Sequence, residues 1–260
     1  MISKTSTPRA TPMTIIASPH NPGLKTLRRL RTKRGRAQSG RFFAEGEDLI
    51  AAAAAAGRAA LDGYRVAGSR VGGVSFHDVE PELLATVSTL GSGTRAIGVY
   101  EQRWLPAPSG PVCVYLHGVR DPGNVGTVIR SALAFGAASV AFGADCADPF
   151  SPKAVRASMG AIFAVDLARV ANPVELPGER VALVAGAGES LAVVSERLTG
   201  APAVSLLVGA ERTGIEPAAL ACCQHVAHIP IAADSLNAAM AATVGLYELA
   251  RARPSRVRAS

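Results

Sequence analysis

The stretch Leu116-His117-Gly118-Val119-Arg120-Asp121-Pro122-Gly123-Asn124-Val125-Gly126-Thr127-Val128-Ile129-Arg130 decides how this chain is read. It closes an apolar run at 112–116, turns through Asp121-Pro122-Gly123, and opens onto a helical pattern. Proline presets φ and glycine accepts positive φ, so this is turn chemistry. Asn124 suits a helix N-cap, and Arg130 then lies about two turns inside that helix. Two later segments share the layout. Leu206-Leu207-Val208-Gly209-Ala210-Glu211-Arg212-Thr213-Gly214 ends an apolar strand on a glycine that permits close backbone approach. Its Glu211 is a charge at the edge of that strand. Ile229-Pro230-Ile231-Ala232-Ala233-Asp234-Ser235-Leu236-Asn237 leads into a helix running to about residue 252, with Asp234 or Ser235 placed to cap it.

Outward from these segments, the second half alternates helical stretches with short apolar runs at 112–116, 139–142, 163–167, 181–185, 204–208 and 225–229. Buried parallel strands read this way because both sheet faces are covered. Strand–helix alternation implies an α/β domain with right-handed crossovers. Ligands of such sheets bind at the carboxyl ends of the strands, where all three segments fall. The first half predicts a smaller α/β unit. Leu24, Leu27 and Leu30 recur at helical spacing, strands are expected over 42–45, 63–67, 74–77 and 96–100, and helices over 46–56 and 81–88. Pro106, Pro108, Ser109, Gly110 and Pro111 mark a linker at 106–111. The expected layout is therefore a disordered N-terminus at 1–17, a first domain at 18–105, the linker, and a second domain at 112–260.

Of 260 residues, 48% are hydrophobic and 18% charged, which supports a sizeable core and excludes a disordered polymer. Lys and Arg number 27 against 20 Asp and Glu, and the pI is about 9.7, so a polyanionic partner is favoured. The excess is concentrated. Lys25, Arg28, Arg29, Arg31, Lys33, Arg34, Arg36 and Arg41 lie in residues 25–41 without an acid among them. This reads as a basic helix running into a basic loop, suited to RNA phosphates; a solvated helix face is the plainer alternative. Cys113, Cys146, Cys222 and Cys223 form no C-x-x-C pair, which removes support for zinc ribbons and dithiol redox motifs. No apolar window spans a bilayer and no signal core precedes a cleavage site, so a cytoplasmic protein is expected. Gly186-Ala187-Gly188 has Leu191 where a dinucleotide fingerprint needs its third glycine.

Together the three segments resemble the signature of the SpoU/TrmH family of RNA ribose 2′-O-methyltransferases, a branch of the SPOUT superfamily. The resemblance implies a parallel-sheet domain with a deep trefoil knot, a homodimer, and S-adenosylmethionine as methyl donor without a metal. It places Asn124, Arg130, Glu211, Ser235 and Asn237 at the reaction centre. It assigns Leu207, Gly209, Ile229, Leu236 and Asn237 to the cofactor. Arg41-Phe42-Phe43-Ala44-Glu45-Gly46 and its surroundings resemble the L30e-like substrate-binding domain of many family members, which leans toward ribosomal RNA. The loop between Pro230 and Ser235 is about two residues shorter than the family pattern and lacks glycine, and Ala238-Ala239 replaces the commoner Val-Ser. The short loop keeps open an RNA- or ribosome-binding protein with a degenerate transferase domain, the family's split between ribosomal and transfer RNA substrates keeps open a transfer-RNA ribose methyltransferase, and a third reading is an unrelated α/β nucleotide-binding enzyme.

Overall fold

The computed structural model describes residues 15–71, 76–90 and 93–253. The first half contains α1 (Pro22–Leu30), α2 (Lys33–Ser39), β1 (Arg41–Glu45), α3 (Glu47–Ala55), β2 (Asp62–Val66), β3 (Phe76–Val79), α4 (Pro81–Val87) and β4 (Ala96–Glu101). The second half contains β5 (Val112–His117), α5 (Pro122–Ala134), β6 (Ser139–Phe142), α6 (Pro152–Ala157), β7 (Asp166–Arg169), β8 (Glu179–Leu183), β9 (Glu189–Ser190), α7 (Leu191–Arg197), β10 (Val204–Gly209), α8 (Pro217–Leu220), β11 (His225–His228) and α9 (Ala238–Ala252).

Four strands form a mixed sheet in the order β1-β4-β2-β3. Seven form a parallel sheet in the order β7-β6-β5-β10-β8-β11-β9. The α/β class expected from the apolar runs is thus observed, with β5, β10 and β8 adjacent near the centre. Period-two alternation splits the central strands between two apolar layers. Val114, Leu116, Leu206 and Val208 face the layer that contains α5, α7 and α9. Cys113, Tyr115 and Leu207 face a second layer closed by Val170, Leu176, Ile215 and Cys223.

Leu24, Leu27 and Leu30 bury the inner stripe of α1, contributing about 1.5–3 kcal/mol each relative to exposure. The expected basic loop after α1 is instead a second helix. Thr32 caps it by accepting from the Gly35 amide at 3.0 Å, and Gly40 ends it at φ 65°. The strand expected at 163–167 begins at Asp166. Ala161–Phe163 form a single 3₁₀ turn, which sets the Phe163 ring 4.7 Å from Tyr100 and 5.8 Å from Phe42. The strand expected at 181–185 lies two residues earlier, and of the one expected at 74–77, Val74 and Ser75 lie outside the described residues.

The two halves are packed together. Phe42, Ala44, Leu49, Ala53 and Tyr100 belong to the same apolar core as the main layer of the parallel sheet. The expected linker is anchored as well: just before it Leu105 donates to the Leu167 carbonyl at 2.7 Å, and within it the Ser109 carbonyl accepts from Ser139 Oγ at 2.8 Å. Of the N-terminal stretch expected to be disordered, residues 1–14 lie outside the description, whereas Ile16 pairs with the edge of β3 through the Asp78 carbonyl at 2.8 Å.

Candidate active site

The three strand-end segments converge at the carboxyl edge of the parallel sheet. Helix α5 begins at Pro122, which needs no amide partner at a first helical position. Its N-cap is therefore Asp121 and not Asn124. Asp121 Oδ1 accepts from the Asn124 amide at 3.0 Å, and its other oxygen pairs with Lys153 Nζ at 2.7 Å. The Lys153 hydrogen bond, then the Asn124 amide, hold the Asp121 carboxyl below its usual range. With the cap supplied elsewhere, the Asn124 side chain is free to reach across the site.

It does so in two directions. Asn124 Nδ2 donates to Glu211 Oε1 in a close hydrogen bond. Asn124 Oδ1 accepts from Asn237 Nδ2 at 3.2 Å. One chain of hydrogen bonds, Asn237–Asn124–Glu211, thus links a residue from each segment. Asn237 is also the N-cap of α9, accepting from the amides of Ala239 at 2.9 Å and Met240 at 3.3 Å. The cap lies beyond Asp234 and Ser235, the two expected, so Ser235-Leu236 remains in the loop.

That loop closes a cavity of about 390 Å³ at the ends of β8, β10 and β11. Leu183, Val208, Gly209, Ile229, Ile231 and Leu236 line it, with Glu211 and Ser235 among its polar atoms. Beyond the end of β8 at Leu183, Val184 and Ala185 continue the wall. Apolar side chains, exposed main chain and few polar groups in a cleft of this size suit a flat heteroaromatic ring with a polar tail. These residues fit S-adenosylmethionine.

Two of the residues assigned to the cofactor sit differently from the others. Leu207 is fully buried in the second apolar layer, on the opposite sheet face, because the strand alternation that aims Val208 at the cavity turns its neighbour away. Gly209 does line the cavity, but the close approach it allows is to the chain itself: a Cβ there would strike the Gly214 backbone and stand 2.7 Å from the Ile215 amide. Arg130 lies six residues beyond Asn124 on α5, about 9 Å along the helix axis. It is exposed and has no side-chain partner among the described residues.

In the basic segment, Lys25, Arg29, Arg31, Lys33, Arg34 and Arg41 are exposed. Arg28 is half-buried and donates to the Pro19 carbonyl at 2.8 Å. Arg36 leaves the set. Its side chain is 4% exposed, pairs with Asp148 at 2.7 Å, and donates to the carbonyls of Leu30 and Arg31. Buried guanidinium must be paired, and here it fixes the end of α1 to a loop of the catalytic half. Gly126 was not singled out from sequence, yet a Cβ there would strike the Ala154 carbonyl and stand 2.7 Å from Ala157 Cβ, so it sets the α5–α6 approach. Among the described residues no group of three or more His, Cys, Asp or Glu is arranged to hold a metal, and no helix is long and apolar enough to cross a membrane.

A polar triad drawn from three strand-end segments, beside a cofactor-sized cavity on a parallel sheet, defines a group-transfer enzyme of the SPOUT fold. Residues 111–247 match the SpoU rRNA Methylase family, and the chain belongs to that family. It is 30% identical to an uncharacterized tRNA/rRNA methyltransferase of Synechocystis, covering 91% of this chain and 93% of that one. It is 37% identical to the 23S rRNA (uridine(2479)-2′-O)-methyltransferase of Streptomyces viridochromogenes over 52% of this chain and 50% of that one, so it spans half the length of that relative. Among solved structures, the AdoMet-bound rRNA methyltransferase from Sinorhizobium meliloti superposes with a TM-score of 0.81 at 31% identity, covering 92% of this chain and 97% of that one.

Proposed function

We propose that this protein transfers a methyl group from S-adenosylmethionine to a ribose 2′-hydroxyl of ribosomal RNA. The observation that carries the reading is the Asn237–Asn124–Glu211 hydrogen-bond chain, which joins all three segments beside the cavity. Bound in that cavity, S-adenosylmethionine supplies an electrophilic sulfonium methyl. Gly209, Ile229 and Leu236 hold the donor, and Ser235 faces it from the loop. Asn124, fixed at both ends, orients the acceptor ribose with Glu211. Arg130 offers a free planar fork to the neighbouring phosphate. A guanidinium is a poor base near neutrality, so its part is to position and stabilise charge. The hydroxyl proton leaves to a substrate phosphate or to water. Orientation of two reactants is the main contribution asked of the protein.

The exposed residues of the basic segment grip RNA phosphates, and the first half acts as an L30e-like substrate-binding domain. A homodimer is supported by Leu133 on α5 and Met240 and Tyr247 on α9, apolar side chains 49%, 61% and 50% exposed on two packed helices. The family likeness supports a trefoil knot in the second half, and an RNA-modifying role supports a cytoplasmic location. The deciding experiment incubates the protein with labelled S-adenosylmethionine and protein-free bacterial ribosomal RNA or transfer RNA, then digests to nucleosides. Label in a 2′-O-methylated nucleoside from ribosomal RNA is expected. Label only from transfer RNA would move the substrate, and cofactor and RNA binding without label would favour a non-catalytic binder.

A further inference from the structure

A second, larger cleft of about 550 Å³ opens on the same edge of the parallel sheet, beyond β6 and β7. Its walls come from both halves of the molecule: Lys33 from α2, Trp104 after β4, the loop 143–149 after β6, and Arg169 at the end of β7. The Trp104 ring is held edge-on by Phe142 and Phe150, at centroid distances of 5.9 and 5.2 Å. One of its faces carries the Arg169 guanidinium at 4.3 Å. The guanidinium over the indole is exposed on its outer side, a cationic surface against which another π-system can be placed.

The charge balance identifies the guest. Three carboxylates border the cleft, and all have partners. Asp145 pairs with Arg120 at 3.0 Å and Asp148 with buried Arg36, while Glu175 accepts from the neutral Asn172 amide at 3.3 Å and keeps its charge, so it offsets only one of the two cations that follow. Lys33 and Arg169 are exposed and have no acidic partner among the described residues. The charge left for a ligand is therefore positive and lies beside a flat stacking surface. Aromatic or guanidinium stacking plus a phosphate cation is how proteins hold an unstacked nucleotide. Lys33 also belongs to the exposed basic segment, so the cleft continues that surface. The cleft lies about three strand spacings from the cofactor cavity, on the order of 15 Å, which a short single-stranded segment can bridge.

We propose that this cleft seats one splayed-out nucleotide of the RNA substrate, a few residues from the methylated ribose, with its base stacked on Arg169 and its phosphate beside Lys33. The proposal rests on the reading of this chain as an RNA-modifying enzyme. Trp104 is the only tryptophan in the sequence, so its emission reports on the cleft directly. The full-length protein is titrated with fragments of bacterial ribosomal RNA, with a short oligoadenylate and with AMP, while filter binding measures total RNA binding independently. Quenching by both RNA probes at concentrations where AMP is silent is expected. Arg169→Ala is expected to abolish the quenching and weaken RNA binding about tenfold or more. Arg169→Lys is expected not to restore it, because an ammonium offers no plane, and Lys33→Ala to weaken binding less. Cofactor affinity, measured on the same variants by calorimetry, is expected to stay at the wild-type value and shows that they are folded. RNA binding on the filter with unchanged Trp104 emission, and no effect of Arg169→Ala, would overturn the cleft while leaving the function standing. Quenching by AMP equal to that by RNA would make the guest a free nucleotide and overturn the proposal too. Absence of any RNA binding, with cofactor binding intact, would overturn both readings.

Discussion

Asp121 shows how one side chain controls the use of another. By capping α5 it releases Asn124 for its hydrogen bond to Glu211 beside the cavity. Asp121→Ala is expected to cost about 1 kcal/mol through the lost cap and to lower methyl transfer as Asn124 is recruited to the helix end. Because its folded pKa is depressed, the Asp121 contribution is present above the ordinary carboxylate value of about 4 and is lost as pH falls through the folded pKa. Thermal melts of wild type and Asp121→Ala should therefore converge in acid. Arg130→Ala is expected to abolish methyl transfer with cofactor affinity nearly intact, and Arg130→Lys to fail as well, since a point charge does not replace a fork; equal loss of both activities would show a folding role. Burial pushes the Cys113 thiol up to about 11, so it should resist a thiol reagent at pH 8 until the protein is denatured. Asn124, Glu211 and Asn237 could be singled out from sequence because they stand in three strand-end segments that share one layout, and the structure joins them by hydrogen bonds. The caps could not, because Asp, Asn and Ser cap almost equally well and the choice depends on where proline and the loop let the helix begin.

At the scale of elements, glycine spacing governs how helices and strands meet. Gly126→Ala forces a methyl into the Ala154 carbonyl and is expected to destabilise the protein by roughly 1–3 kcal/mol, read as a lowered denaturation midpoint. Gly209→Ala presses on the Gly214–Ile215 backbone, which also lines the cavity, so calorimetry should show weakened cofactor binding. The parallel strands were readable as apolar runs bounded by turn residues. The strand at 163–167 was misplaced because a buried 3₁₀ turn and a buried strand are equally apolar, and short runs carry no period to separate them. The second basic helix was hidden by Gly35, a poor helix residue, whose place is fixed by the Thr32 cap and close packing on the Arg29 carbonyl. Leu207 and Val208 face opposite layers because one strand serves two faces, and only the register shows which side chain meets the cavity.

At the scale of the molecule, the two halves share an aromatic core and the Arg36–Asp148 pair. Asp148→Ala leaves a buried guanidinium uncompensated and is expected to cost about 3–5 kcal/mol. Calorimetric unfolding of the wild type should show one transition. The remaining basic residues serve a different end. Reversing Arg29, Arg31 and Arg34 to Glu is expected to weaken RNA binding strongly and to lower the log–log salt slope by roughly 0.7–0.9 for each phosphate that the protein no longer neutralises. Cofactor affinity should not change. A parallel shift at constant slope would count against direct phosphate binding. Sequence marked the basic run as a unit but not the exception within it, since Arg36 acquires its partner 112 positions away.

The hydrogen-bond chain that assembles the proposed reaction centre also says when that centre can exist. Asn124 and Glu211 are 87 positions apart, and Asn124 and Asn237 are 113 apart. Contacts of such separation close large loops and form slowly compared with local helix formation. A refolding chain should therefore regain its helical signal well before it can capture S-adenosylmethionine, and during that interval it carries an apolar cavity wall without its lid. Competence for chemistry arrives late, as a property of the whole chain and not of any of its motifs.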